Sequence, residues 1–186
     1  MRLFTAIELS ADVRTSLARL IEKLRPEAAL NWSRVDNLHV TTKFIGEWPE
    51  ARLEEIEQTL TAIRPAGAIP IAVRGLGWFP NPRAPRVFWA GVEAPAELAW
   101  LARDTEKTLS AIGVPAEDRP FRPHLTLARI RDSRHAGPVR QAMMGLGSLE
   151  FGSFAADRFY LYCSERRPSG SVYVKLAEYN LNQEQA

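Results

Sequence analysis

The chain of 186 residues contains only one cysteine and three histidines. A single thiol, Cys163, cannot close an intramolecular disulfide, so a reducing cytoplasm is the expected compartment. Cysteine and histidine supply most zinc ligands, and here they do not occur at the CxxC or HExxH spacings that zinc sites use. We therefore expect no metal and no other cofactor. Proton-transfer chemistry would have to depend on these few imidazoles.

Long apolar runs, glycine-rich loops and lysine are also scarce. No segment approaches the roughly 18 consecutive apolar residues of a membrane-spanning helix, and Glu8 and Asp12 soon interrupt the N-terminus, so we expect neither a membrane span nor a signal peptide. The 11 glycines are scattered and form no phosphate loop. Only four of the 24 basic residues are lysine, and arginine favours an anionic partner. A GC-rich gene would produce the same bias, and a net charge of +2 is too small to indicate nucleic-acid binding.

Helical and strand patterns alternate along the chain without the regular order of a parallel sheet. Apolar residues at helical spacing predict helices over Ala11–Leu24, about 49–63, 95–112 and 139–146. Strand patterns occur at 1–9, 38–45, 69–79, 86–92, 124–130, 158–163 and 171–179. Loops are expected at 80–85 and 164–170, and the tail over 182–186 is expected to fray. The order of these elements predicts an α+β fold with largely antiparallel sheets.

Two of the three histidines occur in matching segments, His39-Val40-Thr41 and His124-Leu125-Thr126, one in each half of the chain. Residues i and i+2 of a strand project from the same face, so each segment would present an imidazole beside a hydroxyl. A single segment of this kind is explained equally well by a half-buried structural histidine. The duplication favours one site to which both halves contribute.

A pair of imidazoles suits the cleavage of a phosphodiester without a metal. The neutral ring can deprotonate the attacking oxygen, and the protonated ring can donate to the leaving oxygen. Hydroxyl and cationic groups would then hold the non-bridging oxygens. A nucleophilic cysteine or serine fits less well, because Cys163 has no evident partner and no GxSxG elbow occurs.

With these motifs about 85 residues apart, the sequence resembles the 2H phosphoesterase superfamily. It is most similar to the RNA 2',3'-cyclic phosphodiesterase branch, historically called 2'-5' RNA ligase. Similar stretches also occur at residues 2–6, 37–47, 85–91 and 121–129, so the resemblance covers nearly the whole chain. Thr42 departs from the family pattern, which more often has leucine there.

The resemblance implies one bilobal domain over residues 1–186, with pseudo-twofold symmetry and the motifs at 39–41 and 124–126 facing a central cleft. It implies a monomeric enzyme that opens 2',3'-cyclic phosphates on RNA ends or nucleotides to 2'-phosphates. His39 would be the proton donor to the 3' oxygen and His124 the proton acceptor from water. Thr41, Thr126 and Arg129 would bind the phosphate. The near symmetry leaves the opposite assignment of the histidines open.

The sequence is compatible with several alternatives. The same site could perform reversible 2'-5' ligation, or it could bind a terminal RNA phosphate without turning it over. Arg129 lies five residues after His124, so strict alternation would place it on the opposite face unless a bulge intervenes or the strand ends early. A surface arginine is the competing interpretation.

Other residues near the motifs have two interpretations each. Lys43 is expected on the His39 face, at the cleft edge or reaching solvent. His135 and the basic run around it, Arg119 to Arg134, are expected in solvent, although the run could steer RNA by charge. Five aromatic residues could stack a base or pack in the core: Trp32, Phe44, Trp78, Phe79 and Phe121.

Overall fold

The computed structural model describes residues 1–63, 67–168 and 170–182. In these ranges the chain forms four helices: α1 (Ala11–Leu24), α2 (Leu53–Leu60), α3 (Ala96–Ser110) and α4 (Ala136–Met144). The nine strands are β1 (Arg2–Glu8), β2 (Asn31–Trp32), β3 (His39–Glu47), β4 (Ile69–Phe79), β5 (Val87–Glu93), β6 (His124–Arg129), β7 (Glu150–Ala156), β8 (Arg158–Arg167) and β9 (Gly170–Asn180). No helix in these ranges is long and apolar enough to span a bilayer.

The strands form two antiparallel sheets, which confirms the predicted α+β class. The first sheet has the order β3-β1-β8-β9, and the second has the order β2-β6-β5-β4-β7. In the first sheet α1 connects the neighbours β1 and β3, and in the second α3 connects the neighbours β5 and β6. The two sheets therefore repeat one strand–helix–strand arrangement, which is the origin of the pseudo-twofold symmetry.

The helices cross between the two lobes. Helix α1 leaves the four-stranded sheet but packs against β7 of the five-stranded sheet, and α3 leaves the five-stranded sheet but packs against β3. Helix α2 packs against α3, and α4 packs against α1. Each sheet is thus covered by a helix that follows a strand of the other sheet, so each lobe depends on a helix from the other.

Apolar spacing explains how the helices and the core form. Ser10 accepts a hydrogen bond from the Val13 backbone N–H at 3.4 Å and caps α1, as such residues do at helix starts. Val13, Leu17 and Leu24 then lie on one buried helical face. The main core extends through both lobes, whereas Phe4, Ala6 and Tyr162 form a separate small cluster.

The observed elements differ from the sequence predictions at three places. The segment predicted as a helix over 49–63 forms a 3₁₀ turn at Glu50–Arg52 before α2. The predicted loop at 164–170 is wrong, because β8 and β9 continue as a polar hairpin almost to its tip. Strand β7 was not predicted, because its residues are mostly exposed and show no clear alternation. Of the predicted frayed tail, residues 183–186 lie outside the described residues.

Candidate active site

A bulge in β3 determines which side chains share a face with His39. His39 pairs with Glu8 and Thr41 pairs with Ala6, but the next pair joins Lys43 to Thr5, so Thr42 is the extra residue. The bulge reverses the alternation beyond Thr41. The Thr42 hydroxyl lies inside, 2.7 Å from the Thr5 hydroxyl, so this buried polar side chain is hydrogen-bonded.

Strand β6 contains the equivalent bulge. Thr126 pairs with Trp89 and Ala128 pairs with Phe88, which leaves Leu127 as the extra residue. Leu127 and Ala128 are both buried, and Arg129 after them is exposed. Of the two ways in which Arg129 could share a face with His124, a bulge or an early strand end, the structure shows the bulge. The bulge turns Arg129 toward the face of His124.

The prediction for Lys43 was wrong. This residue does not share the face of His39, because the bulge at Thr42 turns it inward, where its side chain is 1% exposed. Its Nζ lies 2.7 Å from Oε2 of Glu106 on α3 and donates a hydrogen bond to the Pro115 carbonyl at 2.8 Å. Lys43 thus ties β3 to the helix behind it.

The ring of His39 is held by a backbone carbonyl and by aromatic side chains. Nδ1 lies 2.7 Å from the carbonyl oxygen of Asn37. A carbonyl only accepts, so we infer that Nδ1 carries the proton of the neutral ring and that Nε2 is left for chemistry. Phe4 stacks on the ring at 4.8 Å, and Tyr173 meets it edge-on at 5.2 Å.

His124 repeats this arrangement in the other lobe. Its Nδ1 lies 2.7 Å from the carbonyl oxygen of Arg122, again two residues before the histidine, and Phe79 meets its ring edge-on at 5.0 Å. The same tautomer follows for the same reason. In the part of the chain that the structure describes, neither Nε2 has a hydrogen-bond partner. The fold therefore presents two imidazoles with equivalent nitrogens, on strands β3 and β6, which lie against each other between the lobes.

Burial and mutual charge affect the protonation of both rings. Burial, with smaller contributions from the positive charges of His124 and Arg129, lowers the pKa of His39 to about 4, although the hydrogen bond to the Asn37 carbonyl acts in the opposite direction. Burial also lowers the pKa of His124, and the Arg129 charge acts in the same direction. Arg129 thus influences both imidazoles.

The two threonines of the motifs lie beside the histidines and are accessible to a ligand. Thr41 and Thr126 are half-buried beside their histidines, and within the described ranges neither hydroxyl has a hydrogen-bond partner, so both can meet a ligand. The described residues include no group of three or more His, Cys, Asp or Glu that could hold a metal ion. His135 is exposed, as predicted.

Of the five candidate aromatic residues, three pack in or against the core and two lie beside the histidines. Trp78 is buried and stacks on Phe88, and the indole N–H of Trp32 donates to the Ala28 carbonyl. Phe121 packs against the core. Phe79 contacts His124, and Phe44 is 51% exposed on the His39 face, so these two belong to the site.

Sequence reasoning missed several residues that surround the histidines. Phe4 and Tyr173 contact His39, and Trp89 lies beside Thr126 with its indole across Gly77, where a Cβ would be 2.1 Å from the ring. Only the pairing of β1 with β3 brings Phe4 onto the face that carries His39.

The comparisons with known proteins agree with this architecture. The family described as "LigT like Phosphoesterase" matches residues 7–89 and again residues 91–173, so each match contains one His-x-Thr motif. The chain belongs to this family of phosphoesterases, and the resemblance seen in the sequence is confirmed at that level.

Named relatives and solved structures match over nearly the full length. An RNA 2',3'-cyclic phosphodiesterase of Methanothermobacter thermautotrophicus is 32% identical over 97% of this chain and 99% of its own. The apo structure of Escherichia coli LigT superposes with a TM-score of 0.80 at 29% identity, covering 98% of both chains. LigT complexed with 3'-AMP gives a TM-score of 0.79 at 27% identity, with the same coverage.

Proposed function

We propose that this protein is a cyclic phosphodiesterase that opens 2',3'-cyclic phosphates at RNA ends or on nucleotides. The observation that carries the proposal is the pair of equivalent histidines on neighbouring strands of two lobes. Each has Nδ1 on a backbone carbonyl, and its Nε2 has no hydrogen-bond partner among the described residues. The name of the Methanothermobacter relative and the 3'-AMP complex of LigT support this substrate class.

The reaction needs one proton acceptor and one proton donor. His124 Nε2 accepts a proton from water as the water oxygen attacks phosphorus. His39 Nε2–H donates its proton to the 3' oxygen as the P–O3' bond breaks, which leaves a 2'-phosphate and a 3'-hydroxyl. The Thr41 and Thr126 hydroxyls and the Arg129 guanidinium hold the non-bridging oxygens as negative charge develops there.

The phosphate itself prepares the site for this proton transfer. In the free protein the lowered pKa values keep both imidazoles mostly neutral at pH 7. A phosphodiester anion between the rings raises both pKa values, because it stabilises the imidazolium form. Binding therefore makes it easier for one ring to hold the proton that the leaving oxygen needs. Since both reacting rings come from one chain, the protein is proposed to act as a monomer.

The main test is hydrolysis of a 2',3'-cyclic nucleotide in excess EDTA. Wild type and the His135→Ala control should form the 2'-phosphate at equal rates. His39→Ala and His124→Ala should each lose at least about 100-fold in kcat, the usual contribution of a general acid or base. Full activity in either variant would refute the two-histidine mechanism, and complete loss with EDTA would refute metal independence. Product analysis with RNA bearing a 5'-hydroxyl separates hydrolysis from 2'-5' ligation.

A second substrate tests which histidine is the acid. A cyclic phosphate with sulfur at the 3' bridging position expels a thiolate, which leaves without a proton. His39→Ala should therefore recover much of its lost rate with this substrate, whereas His124→Ala should remain slow with both substrates. Recovery by His124→Ala alone would reverse the assignment, while phosphate turnover itself would still stand.

A further inference from the structure

The residue that precedes the first motif connects the two edges of the four-stranded sheet. Strand β3 lies at one edge of the order β3-β1-β8-β9, and β9 lies at the other. Asn37, two residues before His39, donates a hydrogen bond from its side-chain Nδ2 to the Ser171 carbonyl of β9 at 2.8 Å. Tyr173 of the same strand meets the His39 ring edge-on. The sheet therefore curls at this end, so that β9 reaches across to the histidine.

The carbonyl that holds the His39 ring belongs to the residue whose side chain is tied to β9. The Asn37 oxygen lies 2.7 Å from Nδ1 of His39, while the Asn37 amide is hydrogen-bonded to Ser171. On the other side of this turn, Arg14 of α1 donates from Nη1 to the Asp36 carbonyl at 3.3 Å. Because the carbonyl and the side chain of Asn37 share one Cα, anchoring the amide also restricts the carbonyl.

The second lobe has no equivalent anchor within the described ranges. Arg122 stands at the matching position, and its carbonyl oxygen lies at the same 2.7 Å from Nδ1 of His124. The Arg122 side chain is exposed and makes no hydrogen bond to the described part of the protein. The additional anchor therefore belongs to His39, the histidine that is proposed to donate a proton.

We propose that Asn37 is a positioning residue: its amide, held by β9, keeps its carbonyl on Nδ1 of His39, so that the ring delivers its proton from Nε2. The proposal rests on the proposed function. The donor form of His39 has protons on both nitrogens, and the Asn37 carbonyl accepts the one on Nδ1. This hydrogen bond favours the charged ring, against the burial that lowers the pKa of His39. Without the anchor the carbonyl can turn away, and the donor form loses its partner.

Hydrolysis of a 2',3'-cyclic nucleotide tests the role of Asn37. Asn37→Ala removes the amide, and Asn37→Leu removes the donor but keeps the volume of the side chain. Each should lower kcat roughly 3- to 10-fold, the effect expected when a hydrogen bond to the charged ring is weakened. KM should change less than about twofold, because the proton is donated in the transition state. Thermal unfolding checks that both variants are folded.

Asn180→Ala is the matched control on the same strand. The Asn180 side chain also makes a 2.8 Å hydrogen bond with the main chain, accepting from the N–H of Asn182. It lies at the far end of β9 from Ser171, about 30 Å away along an extended strand. Asn180→Ala should leave kcat and KM unchanged. Equal kcat losses in Asn180→Ala and Asn37→Ala would overturn the proposal, because the loss would then come from a general loosening of β9.

The substrate with sulfur at the 3' bridging position separates the positioning of His39 from other effects. A thiolate leaves without a proton, so the loss in Asn37→Ala should shrink to less than about twofold where His39→Ala recovers. If His39→Ala stays slow with sulfur, the roles of the histidines are reversed, and the loss in Asn37→Ala should persist as well. A loss that does not follow His39→Ala across the two substrates would overturn the proposal, as would wild-type kcat in both Asn37 variants.

A nitrogen-15 spectrum of the free protein tests the positioning without any turnover. At about pH 8 both rings are neutral, and the shifts of the ring nitrogens distinguish the two tautomers. Wild-type His39 should be in the Nδ1–H form. In Asn37→Ala the Nε2–H form should gain population, while His124 stays unchanged.

The spectrum also separates this proposal from the proposed function. If wild type hydrolyses none of the substrates, the proposed function is wrong, and the tautomer of His39 alone then decides the positioning. Identical His39 spectra in wild type and Asn37→Ala would overturn the positioning role even if hydrolysis is observed.

Discussion

Removing the carboxylate that faces Lys43 should destabilise the protein more than removing Lys43 itself. The Lys43 side chain is 1% exposed and that of Glu106 is 27% exposed, with 2.7 Å between Nζ and Oε2. In Glu106→Gln the ammonium stays buried without its close counterion. In Lys43→Met the aliphatic stem is kept and the carboxylate is partly hydrated. The two ends of this ion pair are therefore not equivalent.

The structure sets the size of the difference. Breaking a fully buried ion pair from one side costs about 3–5 kcal/mol. Here the exposure of Glu106 and the second carboxylate, Glu117 at 3.9 Å, reduce the expected cost of Glu106→Gln to about 2–3 kcal/mol. Lys43→Met should cost about 1 kcal/mol, mainly because the Pro115 carbonyl loses its donor. Glu106→Gln should then lower Tm by roughly 5–10 °C.

Urea unfolding of both single variants and the double variant measures these terms. In the Lys43→Met background, Glu106→Gln should cost about 0.5 kcal/mol, so the coupling energy should be about 2 kcal/mol. Glu178→Gln is the control, because its pair with Arg158 at 3.3 Å is exposed on both sides and should contribute less than about 1 kcal/mol. A coupling near zero, or a larger loss for Lys43→Met than for Glu106→Gln, would refute the reasoning.

Three further predictions concern the titrating groups of the site. Because burial lowers both imidazole pKa values, the plot of kcat/KM against pH should be bell-shaped, with its maximum between about pH 4 and pH 6.5. The maximum of kcat should lie at higher pH, because bound phosphate raises both imidazole pKa values. Arg129→Ala should lower kcat/KM roughly 10- to 100-fold. It should also raise the pKa values of both histidines, which shifts the kcat/KM profile to higher pH. An unchanged pH profile would show that the Arg129 charge does not act on the site. The unfolded chain binds a proton at His39 near pH 6.5 and the folded protein near 4, so stability should fall as pH drops through that window, by up to about 3 kcal/mol. Urea midpoints should show a weaker pH dependence in His39→Gln and the wild-type dependence in His135→Gln.

Local periodicity was sufficient to predict most of the elements and the shared faces of both pairs of candidate site residues. The i, i+2 spacing placed His39 with Thr41 and His124 with Thr126, and the half-burial of all four agrees with it. Helical spacing likewise predicted the buried face of α1. These inferences hold because each depends only on neighbours within one or two turns or strand repeats.

The residues just beyond each motif could not be placed in that way. A bulge is a mismatch between two paired strands, so it depends on residues far away in sequence, such as Thr5 opposite Lys43 and Phe88 opposite Ala128. Its effect is to exchange the faces of the residues that follow it directly, here Lys43 and Phe44 in β3 and Ala128 and Arg129 in β6. Lys43 consequently turns inward, while Phe44 and Arg129 turn toward the histidines.

The sequence by itself thus determined the α+β class, the two matched motifs and the residue types available for acid–base chemistry. Only the tertiary structure decided that α1 and α3 each cover the sheet of the other lobe, and that Phe4 and Tyr173 surround His39. The physical reason is that side-chain periodicity is a local property of the chain. Strand register, helix packing and the loss of water around an imidazole arise only when distant segments meet.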